Sequence, residues 1–292
     1  MKIANPPLEW LAAATAGDLG ALDRVLAAVQ PGVFNLALRL LGHREDAQDA
    51  TQEILLRVTT HLSSFRGESA FSTWVFQVAK RHLLQARTRA AESPTVSFEA
   101  LDDKLAGGLQ LAATLGAPPA LTPEDKLAAR QVALGCTQGM LMALDREARF
   151  VYLLDLLFAL SGEEGAAVCE ISPAAYRQRL SRAKRAVEGF AQRTCGRVNA
   201  QADCRCERQL PALRWLDARG QRPPPQVVAV HPAEHAEAEA LLDALQHGSE
   251  AVALMRGHPD YQAPEALLGG IRAVLQAAVQ GGGHLAGSSS VM

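Results

Sequence analysis

The sequence predicts an all-α fold, and three observations carry that expectation. Apolar residues recur at helical spacing through most of the 292 residues, and in the first half no segment alternates with period two over a useful length. Ala and Leu dominate while aromatic residues are only 5% of the chain, a bias that suits helices packed on helices. The balance of 48% hydrophobic to 21% charged residues is that of a globular chain, long enough for two or three domains.

In residues 10–29, Leu19, Leu22, Val25, Leu26 and Val29 recur at helical spacing. Gly17 and Asp18 sit where a turn or cap would fall, and Pro31-Gly32 punctuate. Phe34, Leu36, Leu38, Leu40 and Leu41 mark a second helix that breaks at Gly42, and residues 44–62 form a third, acidic at its start and apolar at its end. After a polar loop at 63–69 containing Gly67, a fourth helix runs from Phe71 to about Arg89, with Trp74, Val75, Val78, Leu83 and Leu84 on its apolar side. Residues 1–92 are therefore expected to be a four-helix domain. Residues 93–121 hold Pro94, Gly107, Gly108, Gly116, Pro118 and Pro119 without an apolar face; they read as a flexible linker with at most a short helix at 98–105. Thr122-Pro123-Glu124-Asp125 has the cap, first-position proline and first-turn acids of a helix start. Three helices fit from there to Phe190, giving a domain at 122–192. Residues 193–280 read as a helical extension with a Pro-rich break at 223–225, and 281–292 as a disordered tail.

No apolar run reaches the roughly 20 residues of a membrane span, and the start lacks the basic flank and apolar core of a signal peptide. A cytoplasmic address without a membrane partner is expected. Five cysteines, an odd number, do not make a secreted disulfide framework. Without a phosphate loop, nucleophile elbow or H-E-x-x-H motif, no enzymatic activity is expected. Net charge is −2, yet the charges are segregated. Residues 66–89 hold five bases and one acid, residues 176–197 seven bases and one acid, and residues 42–53 four acids and one base. Such segregation fits a chain that touches DNA twice and a protein partner once; for any single patch, a solvated helix face explains it equally well.

The strongest local signal is at 160–185. Ser161 and Glu164 have the spacing of a capping box, Val168 and Ile171 pack about a turn at Cys169-Glu170, and Ser172-Pro173 open a second helix. On that helix Tyr176, Leu180 and Ala183 fall on one side, and Arg177, Gln178, Ser181, Arg182 and Arg185 on the other. This is a helix-turn-helix whose second helix suits the major groove; an αα-hairpin with a solvated basic face is the alternative.

Residues 171–185, "ISPAAYRQRLSRAKR", resemble the recognition helix of extracytoplasmic-function sigma factors, the group 4 members of the sigma-70 family. Three further stretches resemble that family in order: "FNLALRLLGHREDAQDATQE" at 34–53, "FRGESAFSTWVFQVA" at 65–79 and "ALDREARFVYLLDLLFAL" at 143–160. The resemblance implies a region 2 domain, a linker and a region 4 domain, with core RNA polymerase and promoter DNA as partners. It implies minus-ten contacts from Phe65, Arg66, Ser69, Phe71, Trp74, Lys80, Arg81 and Arg87, by stacking and by cations tracking phosphates. Trp74 is as readily a buried structural residue. Minus-35 contacts are implied for Ser172, Ala174, Ala175, Arg177, Gln178, Ser181, Arg182 and Arg185. Ala174-Ala175 offer little hydrogen bonding, so readout falls on Arg177, Gln178 and Arg182 with help from DNA shape. Glu45, Asp46, Asp49, Gln52 and Glu53 match the family's surface for the coiled-coil clamp of the largest polymerase subunit. The chain departs from the family at Gly165 and Cys169, where larger apolar residues are usual; a loosely packed first helix of the motif is expected.

The extension places Cys195, Cys204 and Cys206 within twelve residues, similar to a Cys-rich stretch in a subset of these factors. Zinc and a thiol switch are the two functional readings, with inert packing as the third. No cofactor is expected to be required, zinc being the possible one; its fourth ligand is missing locally, with His231 and His235 as candidates. The amphipathic stretches at 233–256 and 264–279 look like a docking module that covers the DNA-binding faces until a signal arrives, an autoregulation that stands beside an anti-sigma factor. The rival functions are a dimeric helix-turn-helix regulator, which leaves 34–79 unexplained, and a thiol- or zinc-dependent sensor or enzyme.

Overall fold

The computed structural model describes residues 3–85, 97–116, 121–221, 255–256, 260–264 and 266–273. Among these residues there is no strand; the nearest approach is one isolated bridge between Cys195 and Cys204. The all-α expectation holds.

The N-terminal domain differs from the expected helix pattern in one respect. Helix α1 (Leu8–Thr15) stops before Gly17, whose φ of 98° turns the chain. Asp18 then caps α2, accepting from the Ala21 N–H at 3.0 Å. Helix α2 (Leu19–Leu41) runs unbroken through Pro31, so the two expected helices are one of 23 residues. A proline inside a helix costs about 3 kcal/mol. Burial outweighs it here, because Pro31 sits on the exposed face of the first half of α2 while every residue from Gly32 to Leu40 beyond it is buried. Gly32 belongs to the same packing: a Cβ there would meet Ile3 Cγ1 at 2.5 Å. By length and composition α2 would pass for a membrane span, contrary to the expectation that no such run exists, but 78% of its most apolar window is buried in the protein.

Gly42, at φ 74°, ends α2 and leads into α3 (Arg44–Thr60); a polar loop then leads to α4 (Phe71–Gln85). The linker is the second difference. Residues 98–115 form one 18-residue helix, α5 (Phe98–Leu115), capped by Ser97. Of its two glycines, Gly108 is explained by packing, since a Cβ there would strike Gln209 Oε1 at 2.1 Å, whereas Gly107 faces open space. The same Gln209 donates to the Leu105 carbonyl at 2.9 Å, and Phe98 lies 5.4 Å from Phe190. A segment that looks apolar on no face in isolation is held by the residues after 190.

Thr122 and Asp125 form the expected capping box at the start of α6 (Pro123–Met142). Four helices, rather than three, follow before the extension: α6, α7 (Arg146–Phe158), α8 (Gly162–Cys169) and α9 (Pro173–Thr194). A 3-10 turn at Cys206–Gln209 and α10 (Leu210–Asp217) pack against α5 and α6. The expected tail at 281–292, the Pro-rich break and most of 233–256 lie outside the described residues.

The two halves share one hydrophobic core. Phe76 of α4 meets Phe158 of α7 edge-on at 4.8 Å. Arg149 of α7, itself buried, donates to the carbonyls of Leu141 at 2.8 Å, Met142 at 3.1 Å and Leu144 at 2.9 Å, and also to that of Leu40 at the end of α2. Arg149→Met should therefore cost about 3 kcal/mol in urea unfolding. Arg149→Lys should recover little, because an ammonium reaches fewer of the four carbonyls than a guanidinium fork. Losses below about 1 kcal/mol in both would mean that the carbonyls are satisfied without it.

The helix-turn-helix is tightly packed, against expectation. Gly165 of α8 faces the ring of Tyr176, where a Cβ would lie 2.2 Å from Cζ. Tyr176 fills the volume a large residue at 165 would occupy, is fully buried, and donates its hydroxyl to the Val151 carbonyl at 3.4 Å. Gly165→Ala should destabilise the protein by about 1–3 kcal/mol through overpacking. Tyr176→Leu should make that substitution tolerable, and a double-mutant cycle without coupling would refute the contact.

Candidate nucleic-acid interface

Helix α9 is oriented by its inner flank. Ser172 accepts from the Ala175 N–H at 3.2 Å and fixes where the helix begins. Tyr176, Ala183, Val187 and Phe190 face the core. Arg179 pairs with Glu147 at 2.7 Å and Lys184 with Asp155 at 2.8 Å, which ties two of the seven bases to α7. All eight residues expected at the minus-35 element, Ser172, Ala174, Ala175, Arg177, Gln178, Ser181, Arg182 and Arg185, lie exposed on the opposite side. Charge was legible in the sequence, but the division between bases that hold α9 and bases that face outward depends on the position of α7.

The first basic patch is less open. Arg66 and Ser69 are exposed in the loop, where Gly67 has φ 73°. Phe71 is only 3% exposed and cannot receive a base while the domain is folded this way. It packs in an aromatic cluster, 5.2 Å from Phe65 and 5.5 Å from Trp74, and supports those two half-buried rings from beneath. Asn5, which carried no signal in the sequence, accepts from the Ser72 N–H at 2.8 Å and so caps the start of α4.

Lys80 and Arg81 are engaged. Both pair with Glu170, at 3.3 and 2.7 Å, and Lys80 also donates to the Cys169 carbonyl. The hydrogen bond from Arg81 holds the Glu170 carboxyl below the usual glutamate value, despite the opposing effect of burial. Gln77 donates to the Ala167 carbonyl at 3.0 Å across the same boundary. Glu170 sits at the helix-turn-helix turn with φ 56°, a left-handed conformation that aims its side chain at α4. Cations expected to follow a DNA backbone are thus paired with the helix-turn-helix domain. Arg87 lies outside the described residues.

The five acidic-helix residues all fall on α3. Glu45 and Asp49 are exposed, and Asp46, Gln52 and Glu53 are half-buried. Glu53 pairs with Arg57 at 2.9 Å, and Asp46 lies 4.0 Å from His43. Glu45 and Asp46 also sit in the first turn of α3, where negative charge suits the helix dipole.

Cys195, Cys204 and Cys206 line one small cavity, and Cys136 of α6 joins them there. The sequence concealed this fourth thiol because it comes from a helix some sixty residues earlier. Burial pushes the Cys206 thiol up to about 11 and raises Cys136 and Cys204 as well. No group of three or more His, Cys, Asp or Glu side chains among the described residues is arranged to hold a metal ion. His231 and His235 lie outside those residues.

Comparison with known proteins matches both halves in order. The family described as Sigma-70 region 2 matches residues 25–92, and Sigma-70, region 4 matches residues 134–187. Among similar proteins, the RNA polymerase sigma-H factor of Pseudomonas aeruginosa is 26% identical over 176 residues, 59% of this chain and 86% of its own length. The ECF RNA polymerase sigma-E factor of Escherichia coli (strain K12) is 28% identical over 180 residues, 60% of this chain and 89% of its own. That of Salmonella typhimurium (strain LT2) has the same identity and coverage. The paired regions, joined by the geometry of α9 and α3, make this chain a member of the sigma-70 family, an extracytoplasmic-function RNA polymerase sigma factor that directs transcription initiation.

Proposed function

We propose that the acidic residues of α3 dock on the basic clamp coiled coil of the largest polymerase subunit, that α9 reads the minus-35 element, and that the 63–70 loop with Phe65 and Trp74 meets the minus-ten element. The observation that carries this reading is the exposed outer side of α9, while Arg179 and Lys184 are drawn to α7 by ion pairs. No cofactor enters the reading, and the factor works in the cytoplasm beside its polymerase. The zinc reading of Cys195, Cys204 and Cys206 is supported by the arrival of Cys136 at the same cavity. The raised thiols oppose it, because a metal must displace their protons.

Reconstituted run-off transcription tests the assignment. Asp49→Lys with Glu53→Lys should weaken core binding while helicity is kept. Arg177→Ala or Arg182→Ala should leave core binding intact and lower promoter-specific transcription, by about 1–3 kcal/mol in recognition for a bidentate base contact. Unchanged transcription from the cognate promoter in both arginine variants would displace the recognition helix from its role.

The folded arrangement also constrains the order of events. The names of the two promoter elements put them about 25 base pairs apart, roughly 85 Å at about 3.4 Å per base pair. Helices α4 and α8 touch, and α9 with its 22 residues is only about 33 Å long. In this reading the two domains must separate before both elements are engaged, releasing Lys80 and Arg81 from Glu170. Coupling between Glu170→Gln and Arg81→Ala should be about 0.5–1 kcal/mol at pH 7 for so exposed a pair. Because the folded carboxyl titrates lower than its usual 4.5, the contribution is complete above that pH and fades as pH falls through the folded value. Coupling that did not fade as pH was lowered through the titration of the Glu170 carboxyl, followed directly by NMR, would assign it to something other than this ion pair.

A further inference from the structure

The described residues 260–264 and 266–273 are bound to the first domain, not to the outer side of α9. Asn35 is 1% exposed within the apolar α2, and it reads the backbone of Tyr261 from both sides. Its Oδ1 accepts from the Tyr261 N–H at 2.8 Å, and its Nδ2 donates to the Tyr261 carbonyl at 2.7 Å. One turn and more away, Gln30 donates to the Pro264 carbonyl at 3.1 Å. Arg272 grips Asp23 with two nitrogens, at 2.5 and 2.9 Å. From α3, Arg44 approaches the Gln262 carbonyl at 3.4 Å, and Gly270 lies so close to Gln52 that a Cβ would stand 3.2 Å from its Nε2. Between these polar contacts, Tyr261, Leu267, Leu268 and Ile271 are buried in the common core, and the Tyr261 ring lies 5.7 Å from the Arg39 guanidinium. Backbone recognition, apolar burial and a bidentate ion pair along one strip make a built docking site.

We propose that the described residues 260–264 and 266–273 are an intramolecular plug on the polymerase-docking face, and that the factor engages core polymerase only when this segment leaves α2 and α3. The proposal rests on the reading that α3 docks on the polymerase. Gln52 belongs to that docking set and Arg44 adjoins Glu45, so a clamp seated on α3 meets the plug at both places. The plug also imitates the charge of its competitor: Arg272 brings a cation to Asp23, as a basic clamp would bring cations to the acids of α3. More than thirty residues separate Gln221 from Met255, enough to reach roughly 110 Å when extended, so the plug can leave without unfolding either domain. Tethered in this way it competes at high effective concentration, and an outside signal need only remove a modest bias. For residues 260–264 and 266–273, the proposal puts a covering of the polymerase face where a covering of the DNA-binding faces was expected; the rest of the expected docking module lies outside the described residues.

The test uses full-length variants and the affinity for core polymerase. Arg272 is exposed, so Arg272→Glu should leave the fold intact, and it should tighten core binding about three- to tenfold by turning an attraction into a repulsion. Asp23→Arg combined with Arg272→Glu rebuilds the pair in reverse and should return affinity to that of the parent. Tyr261→Ala should tighten binding too. If Arg272→Glu and Tyr261→Ala bind no better than the parent while Asp49→Lys with Glu53→Lys binds worse, the docking reading survives and the plug is refuted. If the Asp49 and Glu53 reversal changes nothing even in the Arg272→Glu background, the docking reading fails and the plug falls with it.

Discussion

The guanidinium of Arg149 joins parts of the chain that the sequence keeps about a hundred residues apart. It satisfies carbonyls at the end of α6 and in the following turn, and reaches across to the last turn of α2. Helix C-termini carry partial negative charge and unsatisfied carbonyls. Two of them brought together would repel, and both would be unsatisfied away from water. A single buried cation with a planar fork meets both needs, which an ammonium or an apolar side chain does not. Gly42 permits the approach: at φ 74° it turns the chain away, and a Cβ there would press on Met142 Sδ at 3.0 Å. From this junction follow the placement of α6 and α7 on α2, the seating of Phe158 against Phe76 and the meeting of Glu170 with α4.

Much of the fold was legible because local signals and burial agree. Ser161, Thr122 and Ser172 cap helices where their spacing said they would, and Tyr176 and Ala183 turn inward as the helical period requires. Legibility ended where a distant partner supplies the energy. Pro31 looks like a breaker until the residues after it, Gly32 to Leu40, are seen to be buried without exception. Residues 98–115 look like a linker until Gln209 and Phe190 are set against them. Gly165 looks like a defect until Tyr176 fills its place. Lys80 looks like a phosphate contact until Glu170, some ninety residues on, takes it. In the candidate site the same division holds. The outer face of α9 follows from its own period, whereas the burial of Phe71 and the arrival of Cys136 depend on how separate segments meet.

The last turn of α2 is where the closed arrangement concentrates. The Arg39 carbonyl accepts from Gln138 of α6 at 3.0 Å, and the Leu40 carbonyl accepts from Arg149. The Arg39 side chain points the other way, beneath Tyr261, where burial pulls its guanidinium down to about 10 while Tyr261 and Asp260 pull it back up. Successive residues of one rigid turn thus contact the helix-turn-helix domain through the backbone and the C-terminal segment through a side chain. Removing the segment would rehydrate Arg39 and relieve the cost of its burial. Separating the domains would expose the carbonyls that Gln138 and Arg149 now satisfy. Each event acts on the same few residues of α2, so the two are coupled by contact and need no longer pathway. A signal that lifts residues 260–264 and 266–273 then reaches the contact between α4 and α8 through this turn. Conversely, a polymerase that pulls the domains apart weakens the seat of the plug, and the two closures hold or release together.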